Sequence, residues 1–184
     1  MRRRSVACIA LVMLMCGFAR SADDPSGPAK DIPELKVLSQ YAGNWDGEMT
    51  VKPNPNQPKG AQTTGPAVGE WIHDGRFLRQ TWSSKASGAF PAMNGSTIMT
   101  YDPHKKTYRS WSFNSGGQMG ESQGTWDAKT RTLTWTMRDD GGGGASVTKA
   151  TFPEIGIESW SIIVKDRDGQ VVADLSGKNT RRKK

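Results

Sequence analysis

Few side chains in this sequence stand at spacings that chemistry uses. The two histidines, His73 and His104, lie far apart, each beside turn residues. Neither has partners at the spacing of a zinc site or a nucleophilic triad, so both read as solvated turn residues. Adjacent acids such as Asp139-Asp140 fall in a glycine-rich stretch. They do not converge from separate strands, as glycosidase carboxylates must. Phosphate-cradling loops, zinc-protease motifs and nucleophile elbows are absent. What stands out is seven tryptophans, Trp45, Trp71, Trp82, Trp111, Trp126, Trp135 and Trp160. Each can bury ~150–250 Å². A few polar residues share their alternation: Arg109 with Trp111, Gln80 with Trp82, Ser122 with Trp135, and Glu158 with Trp160. A polar group enclosed among apolar ones is costly without a partner. This set therefore reads in one of two ways. Arg109 holds an anionic ligand headgroup among the tryptophans, or Arg109 pairs with Glu158 inside a filled core. No metal site, cofactor site or catalytic residue is expected.

Strands must hold these side chains. Residues 101–138 form three alternating segments separated by two turn signals, Asn114-Ser115-Gly116-Gly117 and Asp127-Ala128-Lys129-Thr130. A two-residue turn at Ser115-Gly116 places Trp111 opposite Gly120 and Arg109 opposite Ser122. A turn at Ala128-Lys129 places Leu133 opposite Gly124 and Trp135 opposite Ser122. The two registers agree on one face: Arg109, Trp111, Phe113, Gly120, Ser122, Gly124, Trp126, Leu133, Trp135 and Met137. Tyr108, Ser110, Ser112, Met119, Glu121 and the threonines of the third segment fall on the other. Alternation of this kind predicts that the first face is buried and the second wet, and a one-residue slip inverts a whole strand.

The same logic extends along the chain. Asp74-Gly75 marks a hairpin that pairs Trp71 with Leu78 and Gly69 with Gln80. Trp71, Leu78, Gln80 and Trp82 then share the inner face, and Glu70 meets Arg79 outside. Residues 33–41 carry Leu35, Val37, Leu38 and Tyr41 at helical spacing behind Pro33, which predicts a short helix capping one end of the sheet. Residues 52–65 read as a long loop or frayed edge, 84–94 as an irregular loop, and 139–144 as a flexible turn. Strands over 96–101, 145–152, 156–165 and 170–178 complete the sheet. The fold class is all-β: an antiparallel up-and-down barrel of about eight to ten strands with one short N-terminal helix.

Residues 1–22 read as a secretory signal. Arg2-Arg3-Arg4 precedes an apolar run too short to span a bilayer comfortably, and small residues follow at Ala19 and Ser21. The alternative is an N-terminal membrane anchor. Both cysteines, Cys8 and Cys16, fall in this segment, so the mature chain offers no thiol. The formal charge of +7 depends on the ends of the chain. Without the four arginines of the signal, 21 basic residues face 18 acidic ones. Four of those 21 are the last four residues, Arg181-Arg182-Lys183-Lys184. The body is close to neutral, which excludes a nucleic-acid-binding surface. The predicted organisation is a signal over 1–22, a flexible leader over 23–32, a barrel over 33–180 and a solvated basic tail over 181–184. The mature protein has no transmembrane span and is periplasmic or secreted.

A short helix followed by Gly43-Asn44-Trp45-Asp46-Gly47 resembles the first strand of the calycins, the lipocalin and fatty-acid-binding-protein group. Further along come Gly75-Arg76-Phe77-Leu78, Tyr101-Asp102-Pro103, Lys106 with Tyr108 and Trp111, Gly124-Thr125-Trp126 and a basic ending. This run resembles a bacterial domain-of-unknown-function family (the fifteen-seventy-nine type) with a lipocalin-like barrel. The resemblance covers roughly residue 35 to the C-terminus and implies a lipocalin-like fold. Some barrels of that kind bind haem through a late histidine; none follows His104 here.

The functional expectation is an exported lipocalin-like domain that binds a small apolar or amphipathic molecule, anionic if Arg109 reads its headgroup. The candidate ligand-binding residues are Arg109, Gln80, Trp82, Trp111, Ser122, Trp135, Glu158 and Trp160. The alternative is a structural or protein-interaction module of the cell envelope whose barrel is filled with side chains.

Overall fold

Ten antiparallel strands, each hydrogen-bonded to its sequence neighbours, close on themselves when the first pairs with the last. The computed structural model describes residues 27–54, 57–88, 90–139 and 144–183, apart from the side chains of Arg138 and Asp139. The predicted signal over 1–22 lies outside them, as do residues 23–26 of the leader and 140–143 of the 139–144 turn. The strands are β1 (Gly43–Val51), β2 (Ala61–Ile72), β3 (Phe77–Ser84), β4 (Met93–Asp102), β5 (Thr107–Asn114), β6 (Met119–Asp127), β7 (Thr132–Asp139), β8 (Gly144–Glu154), β9 (Ile157–Lys165) and β10 (Val171–Arg181). This is the all-β, up-and-down barrel that the spacing of the turns predicts. Closure removes the sheet edges, so no strand is left as a template for another chain.

The N-terminal helix spans Pro33–Tyr41 and is a 3₁₀ helix with Pro33 in its first turn. Three residues per turn bring positions i, i+3 and i+6 onto one line. That line is Leu35, Leu38 and Tyr41, all buried, while Val37 only packs at its side. Runs of 3₁₀ helix this long are uncommon. Here barrel side chains hold the helix carbonyls. The Tyr108 hydroxyl donates to Glu34 O (3.0 Å), Trp45 Nε1 donates to Tyr41 O (3.0 Å), and Arg181 donates to Gln40 O (2.9 Å). The helix therefore plugs one mouth of the barrel, and the core gathers beneath it. Leu35, Leu38 and Tyr41 pack with Trp71, Leu78, Met99, Tyr108, Leu133, Trp135, Ala150 and Phe152.

Three expectations are corrected. Residues 61–65 belong to β2 rather than to a loop; the β1–β2 connection is shortened by a turn closed between Asn54 and Gln57. The basic ending is not wholly a solvated tail. Arg181 is the last residue of β10 and lies over the Trp45 ring (4.7 Å), and Arg182 binds the Asp46 carboxylate. The third correction decides the site. β5 is slipped by one residue against β6: Trp111 pairs with Glu121, Arg109 with Gln123 and Ser110 with Ser122. The connecting loop has three residues, Ser115-Gly116-Gly117, because Asn114 and Gln118 close it (N···O 3.0 Å). The Asn114 side chain accepts from the amide of Gly116 (2.9 Å), and Gly117 supplies the positive φ of 78° that ends such a loop. Every side chain of β5 is therefore inverted relative to the two-residue turn.

Candidate functional site

The register of each strand pair decides which side chains reach the lumen. The β2–β3 hairpin pairs Trp71 with Leu78 and Gly69 with Gln80, so Gln80 and Trp82 face inward with the fully buried Leu78. The Trp82 ring lies across Gly95 on the neighbouring strand, where an added Cβ would meet it at 2.5 Å. β6 and β7 are joined by a four-residue loop, and Trp126 pairs with Leu133, two residues away from the register expected of a two-residue turn. A shift of two preserves facing, so Ser122, Gly124, Leu133, Trp135 and Met137 point inward as predicted. Gly124 lies beneath the Trp135 ring, which an added Cβ would meet at 2.7 Å. On β9, Glu158 and Trp160 face inward; Trp160 sits opposite Ala150 and Gly177, and Glu158 opposite Asn179.

Six of the eight candidate residues therefore share the interior: Gln80, Trp82, Ser122, Trp135, Glu158 and Trp160. Arg109 and Trp111 do not. The slip of β5 turns them to the outer wall, where the Arg109 guanidinium stacks over the Trp111 ring (5.1 Å) and binds the Glu121 carboxylate. Hydrogen bonding from Arg109 holds the Glu121 carboxyl below the usual range. The two line an open outer cleft of about 320 Å³ with Arg76, Phe77 and Tyr101. An internal Arg109–Glu158 pair is excluded by this geometry, and so is an anion held in the lumen by Arg109. In their place β5 presents Tyr108, Ser110 and Ser112 to the interior.

The lumen is graded along its axis. Inward residues near the helix are sealed: Leu78 and Leu133 are 0% exposed and Met99 2%. Towards the opposite mouth most inward residues are only half-buried, among them Gln80, Trp82, Thr97, Ser112, Ser122, Met137, Thr148, Ile162 and Leu175. Ser110 and Ser146 are buried on this wall, 6% and 7% exposed. The wall is thus a mixed surface of indole, aliphatic and hydroxyl groups, reached from the end opposite the helix. A second cleft, of about 410 Å³, opens on the rim of that mouth and takes in the inward-facing Met49 and Thr63.

The floor beneath the helix carries the polar groups that are sealed most deeply. Glu158 is 5% exposed and accepts one hydrogen bond, from Asn179 Nδ2 (2.6 Å). Burial pushes its carboxyl up to about 7, and the Asn179 bond opposes the shift only in part. The Tyr41 hydroxyl accepts from Trp135 Nε1 (3.4 Å). Burial, and secondarily the charge of Glu158, push the Tyr41 hydroxyl far above its usual range. Tyr41 and Asn179 were not among the candidates. The helical spacing marked Tyr41 as core, and Asn179 fell just beyond the predicted end of the last strand.

Among the described residues no three His, Cys, Asp or Glu side chains come together, and no helix is long and apolar enough to cross a membrane. His73 stands in the β2–β3 turn against Phe77, and the His104 amide donates to Asp102.

Solved structures share this architecture at low sequence identity. One is the S-type phycobiliprotein lyase CPES from Guillardia theta. It is 13% identical with a TM-score of 0.58, and the match covers 83% of this chain and 94% of that one. Another is Rv2717c from M. tuberculosis, 14% identical with a TM-score of 0.62, covering 83% of this chain and 99% of that one. At such identities the likeness is one of fold. No curated protein matches the sequence. A family model described as "Protein of unknown function (DUF1579)" matches residues 31–151, about two thirds of the sequence, and the chain belongs to that family.

Proposed function

We propose that the barrel binds a small amphipathic molecule in its lumen, entering by the mouth opposite the helix. The observation that carries this reading is the gradient of burial. Inward residues are sealed under the helix and mostly half-buried beyond it, where Gln80, Ser122 and Thr148 stand among Trp82, Met137 and Ile162. A barrel filled for stability alone would bury apolar side chains there; a lumen that receives a ligand combines an apolar wall with a few convergent polar groups. With Arg109 outside, the one cation on the inward face among the described side chains of the strands is Arg181, which lies over Trp45 and donates to helix carbonyls beneath the helix. The solved neighbours support the reading only as far as the fold, one of them being a phycobiliprotein lyase. Export of the mature chain is a further part of the proposal and rests on residues 1–22; native protein that begins at Met1 on N-terminal sequencing excludes it.

The test uses a neutral fluorescent probe, N-phenyl-1-naphthylamine, with energy transfer from the lumen tryptophans as the readout. The wild-type chain binds it. Ser122→Trp fills the middle of the lumen and weakens binding at least about tenfold, with the circular dichroism spectrum retained. Failure of the wild type to bind, or equal binding by a folded Ser122→Trp variant, overturns the proposal.

A further inference from the structure

We infer that Glu158 forms a cation-recognition site on the floor of the lumen, taking the ammonium or amidinium end of an amphipathic molecule whose apolar body lies against Trp160 and Ile162. The inference rests on the lumen reading and specifies its ligand class. Among the described side chains of the ten strands, Glu158 and Arg181 are the only charged ones on the inward face. Arg181 lies over Trp45 and donates through Nη2 to the carbonyls of Ser39 and Gln40, its buried Nε having no partner among the described residues. It forms no ion pair with Glu158. Among the described residues the carboxyl thus has one hydrogen-bond donor, the Asn179 amide.

A buried carboxylate so poorly provided for is costly, and the cost is recovered when a cationic donor binds it. The neighbours suit a cation. Tyr41 approaches from the helix, uncharged because burial holds its proton on. Apolar Phe152 packs edge-on against Tyr41 (5.0 Å) from β8, and Trp160 stands two residues from Glu158 on the same face of β9, its ring across Gly177. From β10 come Asn179 and, beyond it, Arg181. The carboxyl is pushed up to about 7, so it loses its charge as the pH falls through neutrality, and cation binding weakens with it.

Three matched probes test the inference: 1-naphthylmethylammonium, 1-naphthylmethanol and 1-naphthoate, titrated calorimetrically. At about pH 8 the ammonium compound binds about tenfold or more tightly than the alcohol, and the naphthoate binds weakest. In the wild type that preference fades towards unity by about pH 5.5, where Glu158 is protonated. In Glu158→Gln it is absent at every pH, while the alcohol still binds. Equal affinity for ammonium and alcohol in the wild type overturns the inference, as does a preference that survives Glu158→Gln or fails to change with pH. In each of these cases the lumen reading stands. If none of the three binds, the lumen reading falls and this inference with it.

Discussion

Glu158 is buried at a cost that can be measured without any ligand. Its carboxyl is pushed from an ordinary 4.5 to about 7, chiefly by desolvation, with the Asn179 hydrogen bond pulling the other way. Each unit is worth about 1.36 kcal/mol, so holding the ionised form in the fold costs about 3 kcal/mol. The folded state keeps a proton that the unfolded chain has released between these two values. The contribution of Glu158 to stability is therefore largest below about pH 4.5, falls as the pH rises through the window, and levels off above about pH 7. Glu158→Gln keeps the shape and an acceptor for Asn179 but carries no charge. Its advantage over the wild type should grow from near zero at about pH 4.5 to about 3 kcal/mol at about pH 8. Urea unfolding of both proteins, followed by tryptophan fluorescence across that range, reads the difference directly. Asn179→Leu should carry the fall to higher pH and enlarge it, because it removes the hydrogen bond that favours the ionised form. Parallel stability–pH curves for wild type and Glu158→Gln would refute the reasoning.

Arg109→Met should cost at most about 1 kcal/mol in a thermal melt, since an ion pair on the outer wall contributes little, and it should leave probe binding in the lumen unchanged. A loss of several kcal/mol would mean that the guanidinium is enclosed after all. Gly124→Val should destabilise by about 2–3 kcal/mol or prevent folding, because its Cβ would meet the Trp135 ring at 2.7 Å and Tyr108 Cβ at 3.0 Å; a wild-type melt for this variant would contradict the packing.

How legible the barrel was depends on the turns. Asp74-Gly75 fixed the pairing of Trp71 with Leu78 even though the loop takes in His73 and Arg76, because the extra residues fall symmetrically on the two sides. The β6–β7 loop is also longer than expected, and again the displacement is even, so Trp135 and Leu133 kept their facing. Between β5 and β6 a single residue was at issue. Gly116-Gly117 permits a loop of two or of three residues, and only the contacts of Asn114 with Gly116 and Gln118 choose three. Arg109 and Trp111 were therefore placed in the interior that Tyr108, Ser110 and Ser112 occupy. The 3₁₀ rather than α character of the helix could not be read from spacing alone. Leu35 and Leu38 satisfy both periods, and the side chains that hold the helix carbonyls come from β1, β5 and β10.

The error on β5 had a physical source beyond the turn. Patterning assigns the more apolar alternate set to the inside, and on this strand Arg109, Trp111 and Phe113 outweigh Tyr108, Ser110 and Ser112. That rule assumes an interior filled with side chains. A hydroxyl facing an open lumen can meet water or a ligand, so serine inside costs little, and the large aromatic can lie outside. Trp111 does so beneath the guanidinium of Arg109, while Phe113 stays 48% exposed next to Met119 at 80%. Local preference and global fold are expected to disagree where a site has displaced packing as the constraint. Here the disagreement falls on the strand whose Ser112 stands across from the half-buried Thr97, while Ser110 lies between the buried Met99 and the half-buried Ser122. If the lumen were a packed core, replacing Ser112 with valine would be expected to stabilise the protein by burying a methyl pair. If it is a wet cavity, the same change should leave the melting temperature nearly unchanged and alter only the affinity for the neutral probe.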